Sequence, residues 1–372
     1  MQITAIVPQL PPTIDGIGDY ALRLANQLQQ DYDIHSQFVV GNPDWQDTSE
    51  IASFQAQAVA TRTRADLLIL LEQTSVHDSV LLLHYVPHGY AAKACPFWLV
   101  EGLETWRATF PSARLLTFFH ELYALDWHRP WSSDFWLSPV QQHLTARLAR
   151  LSDVCFTSTE RYVHQLYRLS QGKQSEVPAL PIFSNVGEPT TVLPLMQRQR
   201  QLIIFGQRHS KGRIYQDSNL LLKHVCQTLE IETILDIGPT TGFAPTQVDG
   251  VPIQELGKLP VTDISQILSQ SIAGFLTYDP RRLSKSGIFA AYCAHGLLPI
   301  NHLGLATSVD SLMSGIHYWV PPLAQTLEWE QAQAVATMAH AWYQLHSLSA
   351  QACTFKHHLT KPPGSLLVTD NL

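Results

Sequence analysis

The sequence predicts an α/β chain of two doubly wound, Rossmann-like halves, and three observations predict it. Short apolar runs alternate with amphipathic stretches along most of the chain, the pattern of parallel sheets covered on both faces. The alternation lapses once, over the polar residues 187–201 with Pro189 and Pro194, and then restarts. The 372 residues also exceed the roughly 100–200 of one ordinary domain.

In order, residues 3–7 read as a buried strand, followed by a Pro/Gly loop and a helix through Tyr20, Leu22, Leu24, Ala25 and Leu28. Strands are expected at 38–40, 80–85, 115–119 and 154–157, with helical patterns at 98–110 and 137–151. In the second half, strands are expected at 202–205, 234–237, 272–277, 298–301 and 318–320. Helices are expected near 216–229, 261–270, 285–295 and 325–347. The predicted organisation is a first domain over 1–188 and a second over 189–350. A weakly patterned segment, 351–372, is expected to pack back on the first domain.

Hydrophobic residues make up 45% of the chain, enough for real cores, so disorder over most of it is excluded. The net charge of −7 argues against a coat for nucleic acid. Five scattered Cys form neither a disulfide framework nor a zinc spacing, which suits a reducing, cytoplasmic setting. No apolar run approaches the ~20 residues of a membrane span, and the N-terminus lacks the pattern of a signal peptide. Loose contact with a membrane face stays open.

Strand ends are where open parallel sheets bind ligands, and five segments there carry chemistry. Asp15-Gly16-Ile17-Gly18-Asp19 opens the first helix; its glycines permit close backbone approach, and Asp19 serves equally well as a helix cap. His84-Tyr85-Val86-Pro87-His88 and His120-Glu121-Leu122-Tyr123 follow two buried strands. A polar contact or proton carrier at His120 suits this placement better than a metal held by His84, His88, His120 and Glu121, because nothing fixes a ligand geometry. A buried His bonded to backbone is the plainer alternative. Gly206-Gln207-Arg208-His209-Ser210-Lys211-Gly212-Arg213 and Arg281-Arg282-Leu283-Ser284-Lys285-Ser286-Gly287 gather six of the 24 basic residues into two loops. Such loops suit a shared phosphate, with Ser284 or Ser286 capping the next helix; solvated basic loops are the alternative. Trp98, Trp106, Trp127, Trp131 and Trp136 would serve sugar stacking or core packing equally.

Together these segments resemble GT-B glycosyltransferases, in particular the retaining group called family four. Residues 15–20 with Leu22 and Leu28 resemble its N-terminal Gly-Gly-Ile-Gly loop, with Asp15 in place of the first Gly. Leu116-Thr117-Phe118-Phe119-His120-Glu121 is similar to its strand ending in His, and Asp153-Val154 with Thr157-Ser158 to its Ala-Asp, strand, Ser segment. Ser184-Asn185-Val186 is similar to its Pro-Asn-Gly-Val. Gly206, Arg208, Lys211 and Gly212 resemble its donor-phosphate loop, and Ala294-His295-Gly296-Leu297-Leu298-Pro299-Ile300 its Ala-Cys-Gly-x-Pro-Val. One departure stands out. The family's Glu-x7-Glu pair would fall on Leu283 or Ser284 and on Ala291 or Tyr292, and no acidic residue lies between Asp279 and Asp310.

The resemblance implies metal-independent, retaining transfer of a sugar from a UDP- or GDP-linked donor to a sugar, glycan or lipid acceptor, with no cofactor. It implies donor-phosphate contacts from Gly16, Gly18, Arg208, Lys211, Ser284, Lys285, Ser286 and Gly287. His120 and Glu121 take the catalytic positions, and Asp19, His84, His88 and Tyr123 those toward acceptor or sugar. The missing Glu pair leaves a catalytically inactive sugar or nucleotide-sugar binding protein as the alternative. An NAD-dependent oxidoreductase is disfavoured, since Gly16-Ile17-Gly18 lacks the third Gly of the dinucleotide fingerprint.

Overall fold

The computed structural model describes residues 1–360 except 14, 46–49, 75–78, 124–132, 243–244 and 322–326. It divides into two compact units. One comprises Met1–Leu180 with a return segment that begins at Gln351, and the other Pro181–Ala350.

In the first unit the elements run β1 (Gln2–Val7), α1 (Gly16–Tyr32), β2 (His35–Val40), β3 (Glu50–Ile51), β4 (Phe54–Ala58), α2 (Arg64–Thr74) and β5 (Val80–Tyr85). They continue with α3 (Pro87–Tyr90), α4 (Phe97–Thr109), β6 (Arg114–Phe119), α5 (Ser133–Leu151), β7 (Val154–Thr157) and α6 (Glu160–Leu169). The sheet order is β3-β4-β2-β1-β5-β6-β7. Every pairing is parallel except the short β3–β4 edge. The strand order reverses between β1 and β5, which marks the ligand crevice of a doubly wound sheet.

Strand β5 is buried at every position, so its two faces read as one apolar run. Leu81, Leu83 and Tyr85 pack with Leu99, Leu103 and Trp106 of α4. The alternation of strand side chains therefore sends Leu82 and His84 to the opposite face. There Ala5, Val7, Phe38 and Val40 meet Ala21, Leu22 and Ala25 of α1. At the edge, β4 alternates buried and exposed residues. Its weak apolar content explains why the sequence pattern passes over it.

The second unit contains β8 (Gln199–Phe205), α7 (Arg208–Asp217), α8 (Asn219–Thr228), β9 (Thr233–Ile237), β10 (Gln247–Val248), β11 (Val251–Gly257), α9 (Val261–Gln270) and β12 (Ser271–Leu276). It ends with α10 (Gly287–Ala294), β13 (Leu298–Asn301) and α11 (Trp329–Gln344). The last helix, α12 (Leu348–Thr360), spans the change back to the first unit. The sheet order is β10-β11-β9-β8-β12-β13, parallel throughout except at β10. Its switch point lies between β8 and β12. The core joins Leu202, Ile204, Ile234 and Phe275 to Leu222 and Val225 of α8 and to Val335 and Ala336 of α11.

Two sequence expectations are corrected. Residues 318–320 form no strand; Trp319 makes only an isolated bridge to Ile300. The basic segment read as a loop after residue 206 is helical from Arg208, because buried Lys211, Gly212, Ile214 and Tyr215 give it an inward face. Among the described residues, no helix is long and apolar enough to cross a membrane.

Candidate functional site

In the first unit the site is built on the carboxyl ends of β1, β5 and β6. Asp15 caps α1, its carboxylate accepting from the Gly18 N–H at 3.0 Å. Burial raises the Asp15 pKa above the usual carboxylate value, and the Gly18 N–H bond opposes that shift. The cap is therefore Asp15; Asp19 lies within the first turn, where burial raises its pKa too. A Cβ on Gly18 would sit 2.5 Å from the Gln9 carbonyl oxygen, so only Gly lets the helix start this close to the loop. Gly16 has nothing within 4 Å of a Cβ and faces open space. The β1 and β5 loops also touch, since a Cβ on Gly89 would lie 2.7 Å from Pro8.

Beneath that loop the structure brings together two of the predicted histidines. His84 Nδ1 lies 3.2 Å from His120 Nε2, and both rings are buried. Tyr20 of α1 sets its ring edge-on to both, at 5.8 and 5.2 Å. The Tyr20 hydroxyl donates to Oε1 of the fully buried Gln351 on α12. Burial in this aromatic layer pushes the His84 imidazole down to about 3, so it is neutral across the physiological range. Phe118 and Phe355 complete the layer.

The other predicted groups disperse. His88 is exposed on α3 and Glu121 is exposed beside His120. Tyr123 turns toward α6, its hydroxyl donating to Gln165 Oε1 at 3.3 Å. Among the described residues, no three His, Cys, Asp or Glu side chains could hold a metal. Of the tryptophans, Trp106 is core and Trp136 is 70% exposed, while Trp127 and Trp131 lie outside the described residues.

In the second unit three glycines stack at the carboxyl edge, after β8 and β9 and at the end of β11. Gly206 has φ +147°, Gly238 +112° and Gly257 +68°, conformations that favour glycine. A Cβ on Gly238 would meet the Gly206 carbonyl oxygen at 2.2 Å. The Gly206 N–H donates to the Ile237 carbonyl at 3.2 Å, and the Gly238 N–H to the Gly257 carbonyl at 2.7 Å. Helix α7 starts beside this stack with no side-chain cap, so its first N–H groups remain available to an anion. Arg208 is exposed and folds over the neighbouring loop, Nε donating to the Thr241 carbonyl at 3.0 Å.

Three residues expected at the donor phosphate turn inward. Lys211 is fully buried, its ammonium donating to Asp236 and, at 3.2 Å, to the Gly238 carbonyl. The Ser284 hydroxyl donates to Asp310 at 2.5 Å. The Ser286 hydroxyl caps α10 by accepting from the Phe289 N–H at 3.2 Å. All three spend their hydrogen bonds inside the fold. Lys285 is half-buried, and Gly287 opens α10. Tyr292, at a frame of the absent Glu pair, is a buried strut whose ring lies where a Cβ on Gly274 would be, 2.5 Å away.

Between α7 and the loops after β12 and β13 lies a cavity of about 480 Å³. Its walls include Arg213, Asp217, Tyr278, Asp279, Arg281 and His302. Asp217 lies 3.8 Å from Arg213 and Asp279 3.2 Å from Arg281, so the charges are balanced. Buried Asn301 ties the two loops together: its amide accepts from the Tyr278 N–H at 2.9 Å and donates to the Tyr278 and Leu303 carbonyls at 3.0 and 2.8 Å. The sequence missed Tyr20, Gln351, Asp236 and Asn301. Only Tyr20 carried a signal, its place in the first-helix motif.

No family model matches the sequence, and no curated protein does. Solved structures do match. The chain is similar to an α,α-trehalose-phosphate synthase (UDP-forming) from Burkholderia xenovorans, solved with glucose-6-phosphate, at 12% identity and TM-score 0.58, covering 97% of this chain and 100% of that one. It is similar to Anabaena HepE in complex with UDP-glucose at 12% identity and TM-score 0.58, covering 96% and 100%. It is also similar to the pneumococcal O-GlcNAc transferase GtfA, bound to UDP and GlcNAc, at 10% identity and TM-score 0.59, covering 98% and 99%. The shared fold is GT-B, with two Rossmann-like domains.

Proposed function

We propose that the chain is a glycosyltransferase that moves a sugar from a UDP- or GDP-linked donor to the hydroxyl of a sugar, glycan or lipid acceptor, retaining configuration without a metal. The observation that carries this reading is the edge of the second unit, where the Gly206–Gly238 stack, the uncapped start of α7 and exposed Arg208 converge. Glycosyl transfer builds negative charge on the leaving diphosphate. Fixed N–H groups and a guanidinium aimed at that charge stabilise it without reorganisation. Arg208 supplies the cation, and Lys285 stands at the start of α10 as a second. The charge-balanced cavity suits an uncharged part of the donor, its nucleoside or sugar. The likeness to structures holding UDP-glucose or UDP supports the same donor class.

The first unit is assigned the acceptor and the sugar contacts. His120 acts as a hydrogen-bonding group whose orientation is set by His84 and Tyr20. Glu121, exposed next to it, is assigned the proton of the acceptor hydroxyl.

Calorimetry with a panel of UDP-, GDP- and ADP-sugars tests the donor assignment. Arg208→Ala combined with Lys285→Ala should abolish binding; unchanged affinity would remove the phosphate assignment. The second reading, a non-catalytic nucleotide-sugar binder, is favoured by Leu283 and Tyr292 being buried in the core where the resembling family places carboxylates. Release of nucleoside diphosphate in the presence of acceptor separates the two.

A further inference from the structure

Asp236 belongs to no motif the sequence displays, yet both of its oxygens accept side-chain hydrogen bonds deep in the second unit. It sits within β9, 1% exposed, in a strand otherwise made of Thr and apolar residues. One oxygen receives the Lys211 ammonium, and the other accepts from the Tyr215 hydroxyl at 2.5 Å. Both donors stand on α7, one turn apart. Burial and the adjacent carboxylate push the Tyr215 hydroxyl well up, so it stays protonated as a donor. The Lys211 ammonium also donates to the Gly238 carbonyl, in the turn that touches Gly206. Thr241, whose carbonyl receives Arg208, follows in the same loop.

A buried charge pair of this kind is a costly way to gain stability, since desolvation offsets most of the attraction. What it does supply is geometry. Lys211 reaches the strand and the turn at once, so α7 cannot shift without breaking bonds to both.

We infer that Asp236 is a positioning residue. Through Lys211 and Tyr215 it locks α7 to the β9 turn, and so sets Gly206, Gly238 and Arg208 for a nucleoside diphosphate it does not itself touch. This rests on the donor reading. It also reverses the role expected for Lys211, whose charge is spent inside the fold and leaves phosphate recognition to Arg208.

The test uses the full chain with three variants, Asp236→Asn, Lys211→Met and the double Lys211→Met/Asp236→Leu. Each is followed by thermal melting, by amide hydrogen exchange of Gly206, Gly238, Thr240 and Thr241 without ligand, and by titration with UDP. The single variants should melt lower. The double should recover most of the melting temperature, because a hydrophobic pair of similar size removes the unpaired charge. Its exchange at Gly206, Gly238, Thr240 and Thr241 should nevertheless stay fast, and its affinity for UDP should stay about tenfold or more below wild type. Exchange and affinity that return with the melting temperature would reduce Asp236 to a structural role and overturn the inference. So would tighter UDP binding by Asp236→Asn, which would make Lys211 a phosphate ligand held in check. A wild type that binds neither UDP nor GDP would defeat the donor reading instead, and the exchange data would still decide whether Asp236 holds the turns.

Discussion

His84 and His120 face each other across 3.2 Å inside the first unit, on neighbouring strands and under the Tyr20 ring. In that contact one nitrogen must carry a proton and the other must accept. A proton added at that contact would set two N–H groups against each other and leave a positive ring in a layer with little solvent to stabilise it. His84 is therefore neutral in the fold, and that neutrality has a consequence for stability.

Burial lowers His84 to about 3, His295 to about 4 and His346 to about 3 from the usual value of 6.5. His295 is satisfied as a neutral ring, with Nδ1 at 2.8 Å from the Ala291 carbonyl and Nε2 at 2.8 Å from the Ser265 hydroxyl. Each is neutral when folded and titrates freely when unfolded. The unfolded chain thus binds more protons as pH falls below 6.5. The stabilising contribution is complete above 6.5 and is lost as pH drops toward 4, by about 1.4 kcal/mol per pH unit for each ring. Urea midpoints measured at pH 7.5, 6 and 5 should fall progressively. A midpoint constant over that range would show that these rings are not buried as described.

Tyr20→Phe should destabilise the chain by about 1–3 kcal/mol, because it removes the hydroxyl that donates to the buried Gln351 oxygen. A chemical-denaturation curve gives the value directly. Loss of less than about 0.5 kcal/mol would mean that the hydroxyl bond to α12 is unimportant.

Gly16 and Gly18 belong to one motif but should respond oppositely to alanine. Gly16→Ala meets nothing and adds a better helix former at the start of α1, so it should be neutral or slightly stabilising. Gly18→Ala drives a methyl into the Gln9 carbonyl and should lower the melting temperature by several degrees, for a cost of about 1–3 kcal/mol. Equal melting temperatures for the two variants would contradict the packing of the β1 loop on α1.

Ser286 offers a test of charge at constant fold. Ser286→Ala removes the α10 cap and should cost about 1 kcal/mol. Ser286→Asp keeps a capping oxygen and should preserve the melting temperature, while placing a negative charge where the donor diphosphate is proposed to lie. Its affinity for UDP should drop more than that of Ser286→Ala. Equal affinity in calorimetry would move the phosphate away from α10.

The buried strands at 80–85, 115–119, 154–157 and 298–301 were legible in the chain as written, because burial on both faces demands an apolar run. Gly18 and Gly206 were legible for a similar reason, since only certain residues suit such positions, whereas the basic segment from Arg208, read as a loop, is helical. The strands β4 and β11, each second from the edge of its sheet, were not, because they carry little buried apolar area. Nor was the direction of a polar side chain. Lys211, Ser284 and Ser286 have the right chemistry for a phosphate, and the fold supplies each with a nearer partner in Asp236, Asp310 and the Phe289 N–H. Those partners lie up to 26 residues away, and Gln351 reaches Tyr20 across 331. Local sequence constrains backbone conformation and burial through propensity and hydrophobic period, which are near-neighbour effects. Which polar groups satisfy one another is settled only when distant strands and helices are brought into contact, because an unpaired buried group costs more than the bond itself contributes.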